Sequence, residues 1–182
     1  HLNEKEELLL RSKLHSVFNE RELSNDLIEQ LFSGHGEELS EKERMALLET
    51  KVNNSVFLFD YASALKTTEE VLSIDSLDPE KRKEHQNVIA IYKALEKAPA
   101  QTAQIEGTEV PITKDLAGLS RIPVTINQLS LQVVFDTGAN FSVITDSLAI
   151  QSGIELIGES FKVKAVTGGE VDSRIGIADS LR

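Results

Sequence analysis

This chain contains no cysteine and no tryptophan. The first absence excludes disulfides, thiol nucleophiles and cysteine-based zinc sites. Positive charge is also short, with 19 Lys and Arg against 30 Asp and Glu and a formal net charge of −11. That balance does not suit nucleic acid or an anionic membrane, where a basic stripe is expected. No apolar run approaches the roughly 20 residues that cross a bilayer, and no leader pattern follows His1. The four histidines, His1, His15, His35 and His85, lie scattered without His-x-x-x-His spacing, so capping and surface roles outweigh metal binding. A Gly-x-Ser-x-Gly elbow is missing. So is a phosphate-cradling glycine loop, since Gly168-Gly169 alone reads as a turn. No metal and no organic cofactor is therefore expected.

What is present suffices for a core: 40% of the 182 residues are hydrophobic, a length that allows one or two domains. The composition changes near Pro99. Before it the chain is rich in Leu, Glu and Lys; after it, in Val, Ile, Thr and Gly. The expected fold class is α+β: a helical-hairpin domain over 1–98, a linker over 99–107, and a partial β domain over 108–182.

In the first part, Leu8, Leu9, Val17 and Phe18 suggest an opening helix. Leu23, Leu27, Ile28 and Leu31 suggest a second, with Gly34 and Gly36 suited to its C-terminal cap. Ser40 and Glu43 form a capping box ahead of Met45, Leu47 and Leu48. Phe57, Tyr61, Ala64, Leu65 and Leu72 read as the stripe of one longer helix. Asp78-Pro79-Glu80 opens another, carrying Val88, Ile91, Tyr92 and Leu95. Residues 53–99 faintly resemble a tetratricopeptide-type helical repeat, without a clean period.

In the second part, 109–112 could form a strand. Residues 121–126 and 129–135 alternate about an Asn127-Gln128 turn and predict a β-hairpin. Val143-Ile144 continues the β character, and Thr145 or Asp146 caps a short helix closed by Gly153. Phe161, Val163 and Ala165 lead to Thr167-Gly168-Gly169, and residues 171–177 lead away, as a second hairpin with a glycine tip.

Chemistry concentrates at Val133-Val134-Phe135-Asp136-Thr137-Gly138-Ala139, followed by Ser142-Val143-Ile144. An apolar strand delivers a carboxyl to a tight turn in apolar surroundings, a setting that shifts carboxyl pKa values. The bland alternative is that Asp136-Thr137-Gly138 is only a turn.

This stretch resembles the retropepsin-like aspartic proteases, most closely the bacterial proteins described as aspartyl or gag-polyprotein-type proteases. The resemblance spans roughly 120–181 and leaves the helical part unexplained. It implies that Asp136 is a catalytic carboxyl, sharing a proton with a second Asp. Thr137 would brace paired loops, Gly138 would offer its backbone N–H, and Ala139 would complete the motif. Thr167, Gly168 and Gly169 would form a flap over bound peptide. It further implies a peptide or protein substrate, a periplasmic or envelope location, and no cofactor.

Two departures stand beside it. The chain has no second Asp-Thr-Gly or Asp-Ser-Gly, so a homodimer is expected to complete the dyad; Asp172 and Asp179 are poorly placed for that role. The chain also stops at Arg182, just after the flap-like hairpin, where the family continues with further strands and an apolar-apolar-Gly segment. Leu156-Ile157-Gly158 has that composition but precedes the hairpin. The expected function is aspartic endopeptidase; the alternative is a non-catalytic peptide-binding or interaction module scaffolded by the helices.

Overall fold

The computed structural model describes residues 2–104, 106–107, 109–137, 141–164 and 168–182. Its internal contacts define two units. One joins His1–Thr102 with Gly158–Ser173; the other joins Ala103–Ile157 with Arg174–Arg182.

The first unit carries five helices: α1 Glu4–Val17, α2 Arg21–His35, α3 Glu41–Phe57, α4 Tyr61–Leu72 and α5 Pro79–Leu95. Each packs on the next in sequence. Their starts follow from local chemistry. Asn3 and Ser40 both form capping boxes with the Glu three residues on, so the two orphan donors at each start are satisfied reciprocally. Asp78 accepts from Glu80 and Lys81 backbone N–H groups, with Pro79 opening α5.

The single helix expected from Phe57 to Leu72 is two. Phe59 takes a left-handed φ of 57°, and Asp60 caps α4 by accepting from the Ser63 N–H at 3.0 Å. A stripe at helical spacing survives the break because the joining turn is short. The glycine cap expected for α2 also differs. Gly34 lies inside the helix, and Gly36 caps it with right-handed geometry, φ −56°. Gly36 is needed for closeness instead: a Cβ there would lie 2.4 Å from the Phe32 carbonyl oxygen.

Two apolar clusters hold this unit. Ile28, Leu31, Leu39 and Leu47 form one, flanked by Leu8 and Leu9. Leu48, Val71 and Leu77 form the other, flanked by Met45, Leu72 and Ile74. Tyr61 and Tyr92 meet between α4 and α5 with ring centroids 6.4 Å apart, and burial pushes both phenols up from their ordinary values.

A polar knot joins α1, α2 and α3. Asn54 is fully buried, as are Ser12 and Ser24. Its Nδ2 donates to Ser24 Oγ and Asn25 Oδ1, each at 2.9 Å. Its Oδ1 accepts from Ser16 Oγ at 2.7 Å and from Arg21 Nη1 at 3.2 Å. Ser24 Oγ in turn donates to the Ser12 carbonyl at 2.8 Å. Both amide donors and both acceptor lone pairs of Asn54 are thus used.

The second unit is built on a three-stranded antiparallel sheet in the order β1 Thr113–Lys114, β2 Ser120–Ile126, β3 Leu129–Val134. The expected strand over 109–112 is absent, and pairing starts two residues after Pro111, which has no backbone donor to offer. Residues 143–144 also form no strand; they lead directly into Thr145, the cap of α6 Asp146–Gln151. Gly153, at φ 66°, ends that helix as expected. β4 Glu155–Lys164 and β5 Glu170–Ile177 form the second hairpin as a two-stranded sheet.

β2 contains Pro123, which a central strand ordinarily rejects. Its register resolves the conflict. Thr125 and Asn127 direct their N–H groups to Arg182 and Ser180 carbonyls, away from β3. Pro123 shares that parity, opposite Gln132. Its missing N–H falls in the gap between the β1 pairing at 120–121 and the C-terminal pairing at 125–127.

Two outcomes follow from these contacts. Asn54→Ala leaves several buried groups unpaired and lowers unfolding free energy by about 2–4 kcal/mol. The exposed Ser33→Ala changes it by no more than about 0.5 kcal/mol; urea denaturation measures both. Glu43 is held down to about 2 from its ordinary 4.5, first by the Ser40 hydroxyl and backbone N–H and then by Lys5. A depressed carboxyl stabilises fully above pH 4.5 and loses that contribution as pH falls through about 2. A carbon-detected NMR titration of Glu43 should show the low value, and Ser40→Ala should return it toward 4.5.

Candidate active site

The β2–β3 hairpin delivers Asp136. Pairing runs from Ile126↔Leu129 to Arg121↔Val134, and the Phe135 N–H still donates to the Ser120 carbonyl at 2.9 Å. Asp136 and Thr137 then leave the ladder together, both exposed. Gly138 and Ala139 lie outside the described residues, as does Thr167. Gly168, at φ 87°, and Gly169 belong to the connection between β4 and β5, where the sequence predicts a glycine tip. They fall in the first unit, and Asp136 falls in the second.

The apolar surroundings expected around Asp136 are present in sequence but uncovered. Phe135 is 51% exposed and Val143 89%, and Val134 and Phe141 are also open. Each of these side chains lies at a strand end or in the connection to α6, and none is covered by the sheet that carries Asp136.

What fixes the second unit is a set of residues that spacing alone did not reveal. Asn127 turns the hairpin at φ 52°. Its Nδ2 donates to the Ser152 carbonyl at 2.8 Å, and its Oδ1 accepts from the Ser180 N–H at 3.1 Å. One side chain thereby joins the hairpin, the end of α6 and the last residues of the chain. Beside it Thr125 and Arg182 exchange both backbone hydrogen bonds, at 2.7 and 2.9 Å. Arg174 of β5 donates to Asp146 at the start of α6, at 2.8 Å.

At the other end of β2, Asp115 accepts from the Ala117 and Leu119 N–H groups and from Arg121 Nε. The Leu119 N–H, then the Arg121 guanidinium, hold its carboxyl below the usual range. The one available sequence signal was Asn at a hairpin turn, where a positive φ is tolerated. Its two side-chain partners are distant in sequence and gave none.

Of the other carboxyls considered for the dyad, Asp172 pairs across the second hairpin with Lys162 Nζ at 2.7 Å. Asp179 is exposed just after β5. Among the described residues no group of three His, Asp or Glu side chains is placed to hold a metal ion, and no helix is long and apolar enough to cross a membrane.

Comparison with known families gives one result: residues 122–182 match a family model described as aspartyl protease. The last third of the chain is therefore similar to aspartyl proteases, over a segment that holds β2, β3, Asp136, α6 and the second hairpin. No curated protein and no solved structure matches the chain.

Asn127→Ala removes both side-chain bonds and puts a Cβ-bearing residue without a compensating polar group at positive φ. It should lower the stability of the second unit by about 2–3 kcal/mol. Amide exchange at Thr125 and Arg182 should speed up, and Asn127→Gly should restore the turn geometry but not the protection.

Proposed function

We propose that the chain is an aspartic endopeptidase of the retropepsin-like type, with Asp136 as one carboxyl of a two-Asp centre and peptides or proteins as substrate. The aspartyl protease match over 122–182 carries this reading. The position of Asp136, first off a fully paired strand, supports it. A strand end fixes the backbone from which a catalytic side chain projects, and the following turn leaves that side chain accessible to substrate.

The chemistry needs two carboxyls side by side. Like charges at that separation cannot both ionise, so the pair holds one proton. The ionised carboxylate takes a proton from water, and the oxygen so freed attacks the peptide carbonyl. The protonated carboxyl donates a hydrogen bond to the carbonyl oxygen, where negative charge develops. Collapse of the tetrahedral intermediate passes a proton to the nitrogen and breaks the C–N bond.

In this reading the second Asp is Asp136 of an identical chain, related by a two-fold axis. Thr137 braces the two loops, Gly138 and Ala139 keep the turn close, and the hairpin tip at Thr167, Gly168 and Gly169 closes over substrate. The helical unit, faintly tetratricopeptide-like in sequence, holds substrate or partner. A second reading, a peptide-binding module without catalysis, is favoured by one observation: Asp136 and its apolar neighbours are exposed in the single chain.

Cleavage of a peptide mixture from acidic to neutral pH separates the two readings. The wild-type chain should cut, and Asp136→Asn should reduce the rate by about 10²–10⁴-fold. Cleavage that survives this substitution removes Asp136 from the centre. With a shared dyad, the rate per chain should also rise with protein concentration in step with dimerisation measured by sedimentation.

A further inference from the structure

The helical unit contains a cleft of about 380 Å³ lined by Phe32, Arg44, Leu48, Glu70, Ser73 and Ile74. Phe32 comes from the end of α2, Arg44 and Leu48 from one turn of α3, and Glu70 from the last turn of α4, with Ser73 and Ile74 just beyond. The volume lies at the lower end of the ~300–1,000 Å³ typical of small-molecule sites.

Its floor is apolar. Leu48 belongs to the second core cluster, and Phe32 and Ile74 pack against it. Its walls carry opposite charges. The Arg44 guanidinium sits 5.5 Å from the centroid of the Phe32 ring, and its Nη2 donates to the Gly36 carbonyl at 2.8 Å. These two contacts hold the group while most of its five donors stay available. The close approach at Gly36, where a side chain would collide with the Phe32 carbonyl, keeps that acceptor within reach of Arg44. Across the cleft Glu70 is exposed, and its backbone carbonyl accepts from Ser73 Oγ at 2.7 Å. Among the described ion pairs none joins Arg44 to Glu70 and none engages the Glu70 carboxylate.

An apolar molecule would leave both charges unanswered, and a simple anion would meet Glu70. A free amino acid answers both, but its ammonium and carboxylate share one carbon. It suits walls close enough to bond each other, which these do not. A dipeptide separates its termini by a peptide unit and carries apolar side chains between them. We propose that this cleft binds a free dipeptide of apolar residues, its carboxylate on Arg44, its ammonium on Glu70 and a side chain on the Phe32, Leu48 and Ile74 floor. The proposal concerns the helical unit and stands whether or not Asp136 is catalytic.

The test titrates the isotope-labelled full chain with leucyl-leucine and with N-acetyl-leucyl-leucine amide, which lacks both charges. Leucyl-leucine should give saturable NMR shifts at millimolar concentration, centred on the Arg44, Ser73 and Ile74 amides. The capped form should bind at least about tenfold more weakly, the scale of one charge-assisted hydrogen bond lost. Glu70→Gln should weaken leucyl-leucine severalfold, leave the capped form unaffected, and keep the urea midpoint, since that carboxylate supports no described contact. Equal binding of both peptides, shifts centred elsewhere, or no saturation would overturn the proposal.

Discussion

β2 is the one strand among the described residues with partners on both edges, and the second unit depends on that. β3 pairs along one edge for six residues. On the other edge β1 covers the start and the chain's last residues cover the end. A slip of one residue in β2–β3 would turn every side chain to the opposite face. Asn127 prevents the slip from one end, because its amide reaches both Ser152 and Ser180 only when the turn is centred on it. Asp115 works from the other end, closing the 115–119 turn and holding Arg121. Asp136 inherits its position from these two anchors.

The helical unit solves its register problem differently. Its apolar clusters are non-directional, and many small rotations of α1 against α2 and α3 would bury similar area. Asn54 is not tolerant in this way. Its four hydrogen bonds are directional, and a buried amide that lost them would carry a desolvation cost. Ser12, Ser16 and Ser24 supply the complementary groups at helix faces where alanine or leucine would have packed equally well. The polar knot thus selects one arrangement among several that the apolar contacts alone would accept.

How much of this the sequence discloses follows from range. Ser40 with Glu43, and Asp78 with Pro79, are contacts within four residues, and they mark their helices in the sequence itself. The β2–β3 hairpin is equally legible, because alternation and an Asn turn are local. The break at Phe59 is not. Phe57, Tyr61, Ala64 and Leu65 keep helical phase across it, and only the cap residue Asp60 hints at a new start. Asn54 sits in the polar run Lys51-Val52-Asn53-Asn54-Ser55, which reads as a solvated face. Its burial depends on partners 29 to 38 residues away. At the candidate site the strand end that carries Asp136 was legible. Its exposure was not, because a sequence shows that neighbours are apolar and cannot show what covers them.

That exposure bears directly on the chemistry proposed. A solvated carboxyl has no reason to hold a shared proton, and an exposed Phe135 or Val143 has every reason to be covered. Both conditions change in a single event if two copies meet at this surface. Covering Val134, Phe135, Phe141 and Val143 contributes roughly 25 cal/mol for each Å² removed from water. The same covering excludes water from Asp136 and lowers the dielectric in which two carboxyls interact. In the proposed reading association and pKa adjustment are therefore one step. A chain kept apart from its partner has the motif in place and lacks the environment that gives it function. The apolar residues around Asp136 would then serve first as the adhesive between copies and afterwards as the walls of the centre.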